Sequence, residues 1–355
     1  MKGRHRMGRS VAAGAIGLIV ALLAGCGAKA SSESGPPTVD GGAPGHPSLR
    51  GCTHTPFASL PARGWAHLGS SAVAALGPPG HSMQDVITTP GMPVVLHGKF
   101  AYGLLSKDLE GEAVRVFFDD CDGWRDLGEQ RTDSDGRVHL AVDGALPVGV
   151  YAVQLEVMGD ASLAAGQVWV LPAGTRLAIS DIDGTLSTSD AELAQDLLTD
   201  YFAPIFTGDH VPESYPGAVD LTLALAARGL VPIYLTGRPY WLTGRTRSWL
   251  ASLGFAAGAL HTTDSNAGAL PTEAGVGATK LAFLQQLVAA GFVLEEAYGN
   301  ATTDISAYLG AGLGPERVWI IGAQGGARDT HAVAGSWQPR VEELHSLPKV
   351  EQPFE

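Results

Sequence analysis

Four short strings in the second half of the chain hold residue types that can do phosphate chemistry. The first is Ser180-Asp181-Ile182-Asp183-Gly184-Thr185-Leu186, which closes an apolar, strand-like stretch. Carboxylates two residues apart share one face of a strand, and the glycine after them lets the chain turn sharply. The second is Leu235-Thr236-Gly237-Arg238-Pro239, a strand ending in a hydroxyl before a proline suited to open a helix. A hydroxyl with the accessible amide of Gly237 can hold a phosphate oxygen. The third is Lys280, a compact cation at a predicted helix start. No Gly-x-x-x-x-Gly-Lys spacing surrounds it, so a nucleotide-triphosphate loop is excluded. The fourth is Gly299-Asn300-Ala301-Thr302-Thr303-Asp304, whose amide and acid offer the hard oxygens that suit Mg²⁺. Each string alone has a plainer reading. Asp181 and Asp183 fit an acidic turn, Lys280 a solvated surface, Asn300 a turn, and Asp304 a first-turn helix acid.

The elements that must position these residues show two periodicities. Residues 93–100, 114–118, 138–142, 151–157 and 167–170 alternate apolar and polar between turn residues, which predicts a β-sandwich of immunoglobulin-like type. Asp133-Ser134-Asp135-Gly136 reads as a hairpin turn, because Arg137 and Gly144 stand where a calcium loop needs an oxygen ligand and an acid. From residue 175 onward, short β-branched stretches at 176–182, 231–236, 293–298 and 317–321 alternate with helical ones. The helices are expected near 191–202, 219–228, 240–253, 279–290 and 305–309. Strand–helix alternation predicts an α/β domain with a doubly wound parallel sheet and ligands at the carboxyl ends of its strands. All four strings fall at such ends. The expected division is 1–25 signal peptide, 26–90 tether and lead-in, 91–172 sandwich, 173–340 α/β domain and 341–355 tail.

Taken in order, Asp-x-Asp, Thr, Lys and Asn/Asp resemble the haloacid dehalogenase superfamily of phosphohydrolases over residues 175–322. Asp-Ile-Asp-Gly-Thr-Leu-Ser-Thr-Ser-Asp, Tyr-Leu-Thr-Gly-Arg-Pro and Gly-Asn-Ala-Thr-Thr-Asp-Ile-Ser-Ala-Tyr look most like the lipin-type phosphatidate phosphatases. The resemblance implies a nucleophilic Asp181 that forms an aspartyl-phosphate, and Asp183 as acid and then base. It implies Mg²⁺ held by Asp181, Asp183 through its backbone carbonyl, and Asn300, with Asp304 as ligand or anchor. Thr185, Thr236, Gly237 and Lys280 would contact the phosphate. About 50 residues separate the first two strings and about 43 separate Thr236 from Lys280, which leaves little room for a large lid. Tyr201, Phe202, Ile205 and Phe206 could form an apolar lip or belong to the core. Arg238, Arg245 and Arg247 could meet a head group or lie on a solvated helix face.

The amino-terminal segment is basic at Lys2, Arg4, Arg6 and Arg9, then apolar over 11–22, then Leu23-Ala24-Gly25-Cys26. That order makes a secretory signal, and the last four residues resemble a bacterial lipobox. The resemblance implies lipidation of Cys26 and an exported, membrane-anchored protein on the periplasmic or cell-surface side. An oxidising compartment would allow a Cys52–Cys121 disulfide. The chain carries 23 Lys+Arg against 36 Asp+Glu, a formal charge of −13. An acidic surface of this kind repels nucleic acid and anionic lipid at long range, so neither is an expected electrostatic partner, and a lipid substrate would need a local neutral or basic rim. The expected function is Mg²⁺-dependent hydrolysis of phosphatidate or a similar lipid phosphate. The alternatives are a phosphatase of soluble esters outside the cytoplasm and a non-catalytic phospholipid-binding lipoprotein.

Overall fold

A computed structural model of the chain describes residues 56–103, 106–188, 211–264 and 272–354. The predicted signal, the lipobox at Cys26, Cys52, the helix near 191–202 and the apolar lip at 201–206 lie outside them. A short helix, α1 (Leu68–Ala74), precedes two antiparallel layers. One layer orders β1 (Ser82–Met83), β3 (Val94–Lys99) and β8 (Arg137–Val142). The other orders β2 (Val86–Thr88), β10 (Leu163–Val170), β9 (Gly149–Val157), β6 (Ala113–Asp119) and β7 (Trp124–Arg131), with only β2 parallel to its neighbour. A two-residue ribbon, β4 (Ala101–Tyr102) with β5 (Lys107–Asp108), lies between β3 and β6 in sequence.

Alternation sets the sandwich core. Val114, Val116 and Phe118 pair with Val157, Leu155 and Val153, and all six are buried with Val94, Leu96 and Val138 of the other layer. Two expectations change here. The sandwich begins near Ser82 rather than 91, because β1 and β2 already pair with it. The turn at Asp133 joins strands of different layers, so it is not a hairpin. Its carboxylate accepts from the backbone N–H of Asp135 and Arg137 at 2.9 and 2.8 Å. Cys121 is disulfide-bonded, and its partner lies outside the described residues.

The α/β domain holds six parallel strands in the order β13 (Ala259–Thr263), β12 (Val231–Pro239), β11 (Arg176–Ser180), β14 (Val293–Gly299), β15 (Val318–Ile321) and β16 (His331–Val333). On one face, Leu177, Ile179 and Ile233 pack with Leu284 and Leu287 of α4 (Ala278–Ala289) and Ile305 of α5 (Thr302–Gly310). On the other, Ala178 and Tyr234 pack with Leu221 of α2 (Ala218–Ala227), Trp249 of α3 (Thr243–Leu253) and Leu344 of α6 (Gln338–Ser346). Residues 341–355, set apart as a tail in the sequence, therefore contribute to this core. The strand order runs outward in both directions from β11, and the helices that follow β11 and β14 pack on opposite faces of the sheet, an arrangement that opens a crevice at the carboxyl ends of the two strands.

Side chains of the sandwich close the free edge of β13. The Gln84 amide accepts from the Thr262 N–H at 3.2 Å and donates to the Thr262 carbonyl at 2.9 Å, as a neighbouring strand would. Asp85 accepts from the Leu260 N–H at 2.8 Å and from Arg247 of α3 at 2.7 Å. Edge strands left unpaired invite foreign pairing, and here the sandwich satisfies that edge. Trp169 and Leu171 of the sandwich also enter the core of the α/β domain.

Behind β14, Glu296 joins Arg228 at 2.7 Å and Arg340 at 2.8 Å and accepts from the Tyr298 hydroxyl. Burial opposes its charge, but the hydroxyl and the two guanidinium groups hold its carboxyl below the usual range. A carboxyl depressed in the native state stabilises above its unfolded pKa, and that stability is lost as pH falls through the folded one. Glu296→Gln is therefore expected to shallow the loss of stability below about pH 4, read as urea unfolding against pH. An unchanged acid limb would exclude Glu296 as a contributor.

Candidate active site at the ends of the parallel strands

The four strings converge. The Asp181 N–H donates to the Tyr298 carbonyl at 3.0 Å, so the β11–β14 ladder runs right up to the first acid. Gly184 then turns with φ 72°, and the Leu186 and Ser187 N–H groups both return to the Ile182 carbonyl. Trp337, fully buried, donates its indole N–H to the Thr185 carbonyl at 2.7 Å and fixes the loop from below. On the neighbouring strand end, Asp304 reaches back to accept from the N–H groups of Asn300 and Ala301 at 3.0 and 3.1 Å. Gly299 makes room for it, since a Cβ there would stand 2.6 Å from the Asp304 Cβ. Gly299→Ala is expected to displace Asp304 at a cost of about 1–3 kcal/mol, checked by chemical unfolding. A cost near zero would mean that the strand end yields.

Lys280 bridges the two strand ends. Its Nζ donates to Asp181 Oδ1 at 2.7 Å and to Asp304 Oδ1 at 2.6 Å, with all three side chains 5% exposed or less. Burial opposes the lysine's charge, but the two carboxylates outweigh it and raise its pKa. Burial likewise pushes the Asp181 carboxyl up to about 8, against the pull of Lys280 and with Asp304 and Asp183 adding to the rise. The Thr185 hydroxyl stands 3.1 Å from Asp181 Oδ2 and 3.2 Å from Asn300 Oδ1, so these two oxygens face one point.

The second acid belongs to a separate grip. Arg238 donates from Nε and Nη2 to both oxygens of Asp183 at 2.8–3.1 Å, and Thr236 donates to the same carboxylate at 3.2 Å. The guanidinium is 1% exposed, bonds Thr246 at 3.0 Å and lies over the Trp249 ring. Arg238 is thus neither a head-group contact nor a solvated residue, as its sequence position allowed. Arg247 is also removed from those roles by Asp85, whereas Arg245 is exposed. The signal for Arg238 was its place inside Thr-Gly-Arg-Pro; its partner, 55 residues earlier, was not readable.

Three acids and two cations here leave a net negative charge when all are ionised, and Asp181 and Asn300 supply converging hard oxygens. That donor set fits Mg²⁺, which takes few protein ligands and keeps several waters. Among the described residues no three Asp, Glu, His or Cys side chains share one metal position. Asp304 spends Oδ1 on Lys280 and Oδ2 on backbone N–H groups.

Comparison with known proteins places this architecture. Residues 178–322 match the family model described as the LNS2 domain of PITM 1-3, and residues 79–170 match the PITM 1-3 beta-sandwich domain. The two matched stretches follow one another along the chain and coincide with its sandwich and its α/β unit. It is 32% identical over 249 residues to human membrane-associated phosphatidylinositol transfer protein 3, covering 68% of this chain and 23% of that protein. It is 31% identical over 252 residues to Drosophila melanogaster protein retinal degeneration B, covering 69% of this chain and 18% of that protein. The match to rat membrane-associated phosphatidylinositol transfer protein 1 is 29% over 248 residues, covering 68% and 18%. The chain therefore spans about a fifth of the length of these relatives. Among the described residues no helix is long and apolar enough to cross a membrane.

Proposed function

We propose that this protein is a Mg²⁺-dependent phosphatase that hydrolyses a lipid phosphate monoester, most simply phosphatidate, to diacylglycerol and phosphate. The observation that carries the reading is the convergence of Asp181, Lys280, Thr185 and Asn300 at the β11–β14 crevice. The doubly wound, haloacid dehalogenase-like reading is supported by the strand order and by helices on both faces of the sheet. The paired layers before it support the immunoglobulin-like reading of the sandwich. The lipid part is supported by the LNS2 match, which covers the residues of the lipin-type motifs, and by relatives named as phosphatidylinositol transfer proteins.

In this reading an Asp181 oxygen attacks phosphorus and the phosphorus–ester oxygen bond breaks. Asp183 gives its proton to the departing alkoxide, then takes one from the water that cleaves the aspartyl-phosphate and frees Asp181. Thr236, the Gly237 amide and Lys280 would hold the phosphoryl oxygens as charge builds on them. A phosphate charge meets a carboxylate with about 4 kcal/mol of repulsion at 4 Å and an effective dielectric near 20. Bound Mg²⁺, held by Asp181, the Asp183 carbonyl and Asn300, would offset that repulsion. Asp304 would anchor Lys280 and the strand end rather than touch the ion. A lipidated Cys26 would hold the site at a membrane outside the cytoplasm.

One observation favours a second reading, a phospholipid-binding module without turnover. Arg238 occupies both oxygens of Asp183, and Asp183 must leave that fork to give a proton. Phosphate release from phosphatidate vesicles, with and without Mg²⁺, separates the two. Mg²⁺-dependent release is expected. Vesicle binding without release would give the site to the second reading, and release from soluble esters alone would discard the lipid.

A further inference from the structure

We propose that a cleft between the sandwich and the edge of the parallel sheet binds a small organic acid with an apolar body. The cleft encloses about 400 Å³ and is lined by none of the residues of the Asp181 cluster. Its volume falls within the range of small-molecule sites, which favour domain junctions.

The chemistry of the walls chooses the ligand. His97 and His139 are direct neighbours across β3 and β8, and Arg137 lies two residues from His139, so all three share one face of that layer. The two imidazoles meet Nδ1 to Nδ1 at 2.7 Å. When both rings are neutral, one donates to the other, and the accepting ring must carry its own proton on Nε2. That N–H remains for a ligand. Arg137 donates from one Nη to the Asp264 backbone carbonyl at 2.6 Å, which leaves further guanidinium donors. Across the cleft, His261 of β13 stacks on Phe283 of α4 at 3.8 Å between centroids, and its Nδ1 is buried without a partner among the described residues.

Two acids also line the space. Asp85 is consumed by Arg247 and two backbone N–H groups, and Asp264 accepts from the Gln84 amide at 3.1 Å. Arg137 and the two histidines bring donors to the same cleft as the apolar surface of Phe283 and Leu287, with the Asp264 carboxylate also in its lining. An anionic head with an apolar body matches that division, whereas a cation would meet Arg137.

The test is a calorimetric titration of the full chain with 2-naphthoate, with 2-naphthalenemethanol as the uncharged control. Saturable one-site binding is expected, weakened about tenfold or more by Arg137→Gln and by removing the acid from the probe, the loss of one charge-assisted hydrogen bond. Gln286→Trp, on the exposed side of α4 at the cleft, is expected to block the site while leaving Arg137, His97 and His139 in place. No saturable binding at millimolar probe, equal binding of acid and alcohol, or binding unchanged by both substitutions would each overturn the proposal.

Discussion

Asp181→Asn is expected to lower phosphate release from phosphatidate vesicles by about 10³-fold or more, because an amide oxygen is a far poorer nucleophile than the carboxylate that would form the covalent intermediate. The substitution should leave the fold intact. Asn keeps the shape of the side chain, and Lys280 retains Asp304 at 2.6 Å as its counter-charge. Removing the charge also relieves the burial penalty that pushes the Asp181 carboxyl up to about 8, and with it the smaller repulsion from Asp304 and Asp183. Thermal unfolding and vesicle binding should therefore stay near wild type while turnover disappears. A variant that still releases phosphate at the wild-type rate would remove Asp181 from the chemistry and the aspartyl-phosphate route with it. Loss of binding together with turnover would give Asp181 a structural or ion-holding role instead.

The second large effect lies far from the chemistry. Asp85→Ala is expected to destabilise the protein by about 3–5 kcal/mol, the usual cost of leaving a buried ion-pair partner alone. Asp85 is 1% exposed and Arg247 16%. The substitution also strips the acceptor from the N–H groups of Leu260 and Gln167, so the free edge of β13 and the start of its docking surface are both affected. Urea unfolding would read the loss. The double variant Asp85→Ala, Arg247→Ala should recover part of it, because the unpaired buried charge is gone. A single-variant cost below about 1 kcal/mol would mean that water reaches Arg247 and that the two domains are joined mainly by the apolar contact at Trp169 and Leu171.

The strings around Asp181, Thr236, Lys280 and Asn300 were legible because each is a local event. A β-branched run sets a strand, a glycine or proline turns it, and the residue at the turn faces the crevice. The same locality made β3, β6, β8 and β9 readable from alternation. Strands β7, β13 and β16 escaped notice. The sequence of β7, Trp-Arg-Asp-Leu-Gly-Glu-Gln-Arg, is a polar edge with most of its side chains partly or fully exposed, so it carries little alternation. The edge strands β13 and β16 are short, and β13 is completed by Gln84 and Asp85 rather than by a strand of its own sheet.

Composition and spacing by themselves determined that this chain pairs a β-sandwich with a parallel α/β domain, and that oxygen-rich strand ends gather in the latter. Tertiary structure alone decided which charges meet. Asp183 finds Arg238 from 55 residues away, and Asp85 finds Arg247 from 162. Asp304 proved an anchor for Lys280 only once both strand ends lay side by side. Local sequence sets backbone direction through turns and periodicity, whereas a buried charge takes whichever partner the packed layers bring within about 3 Å.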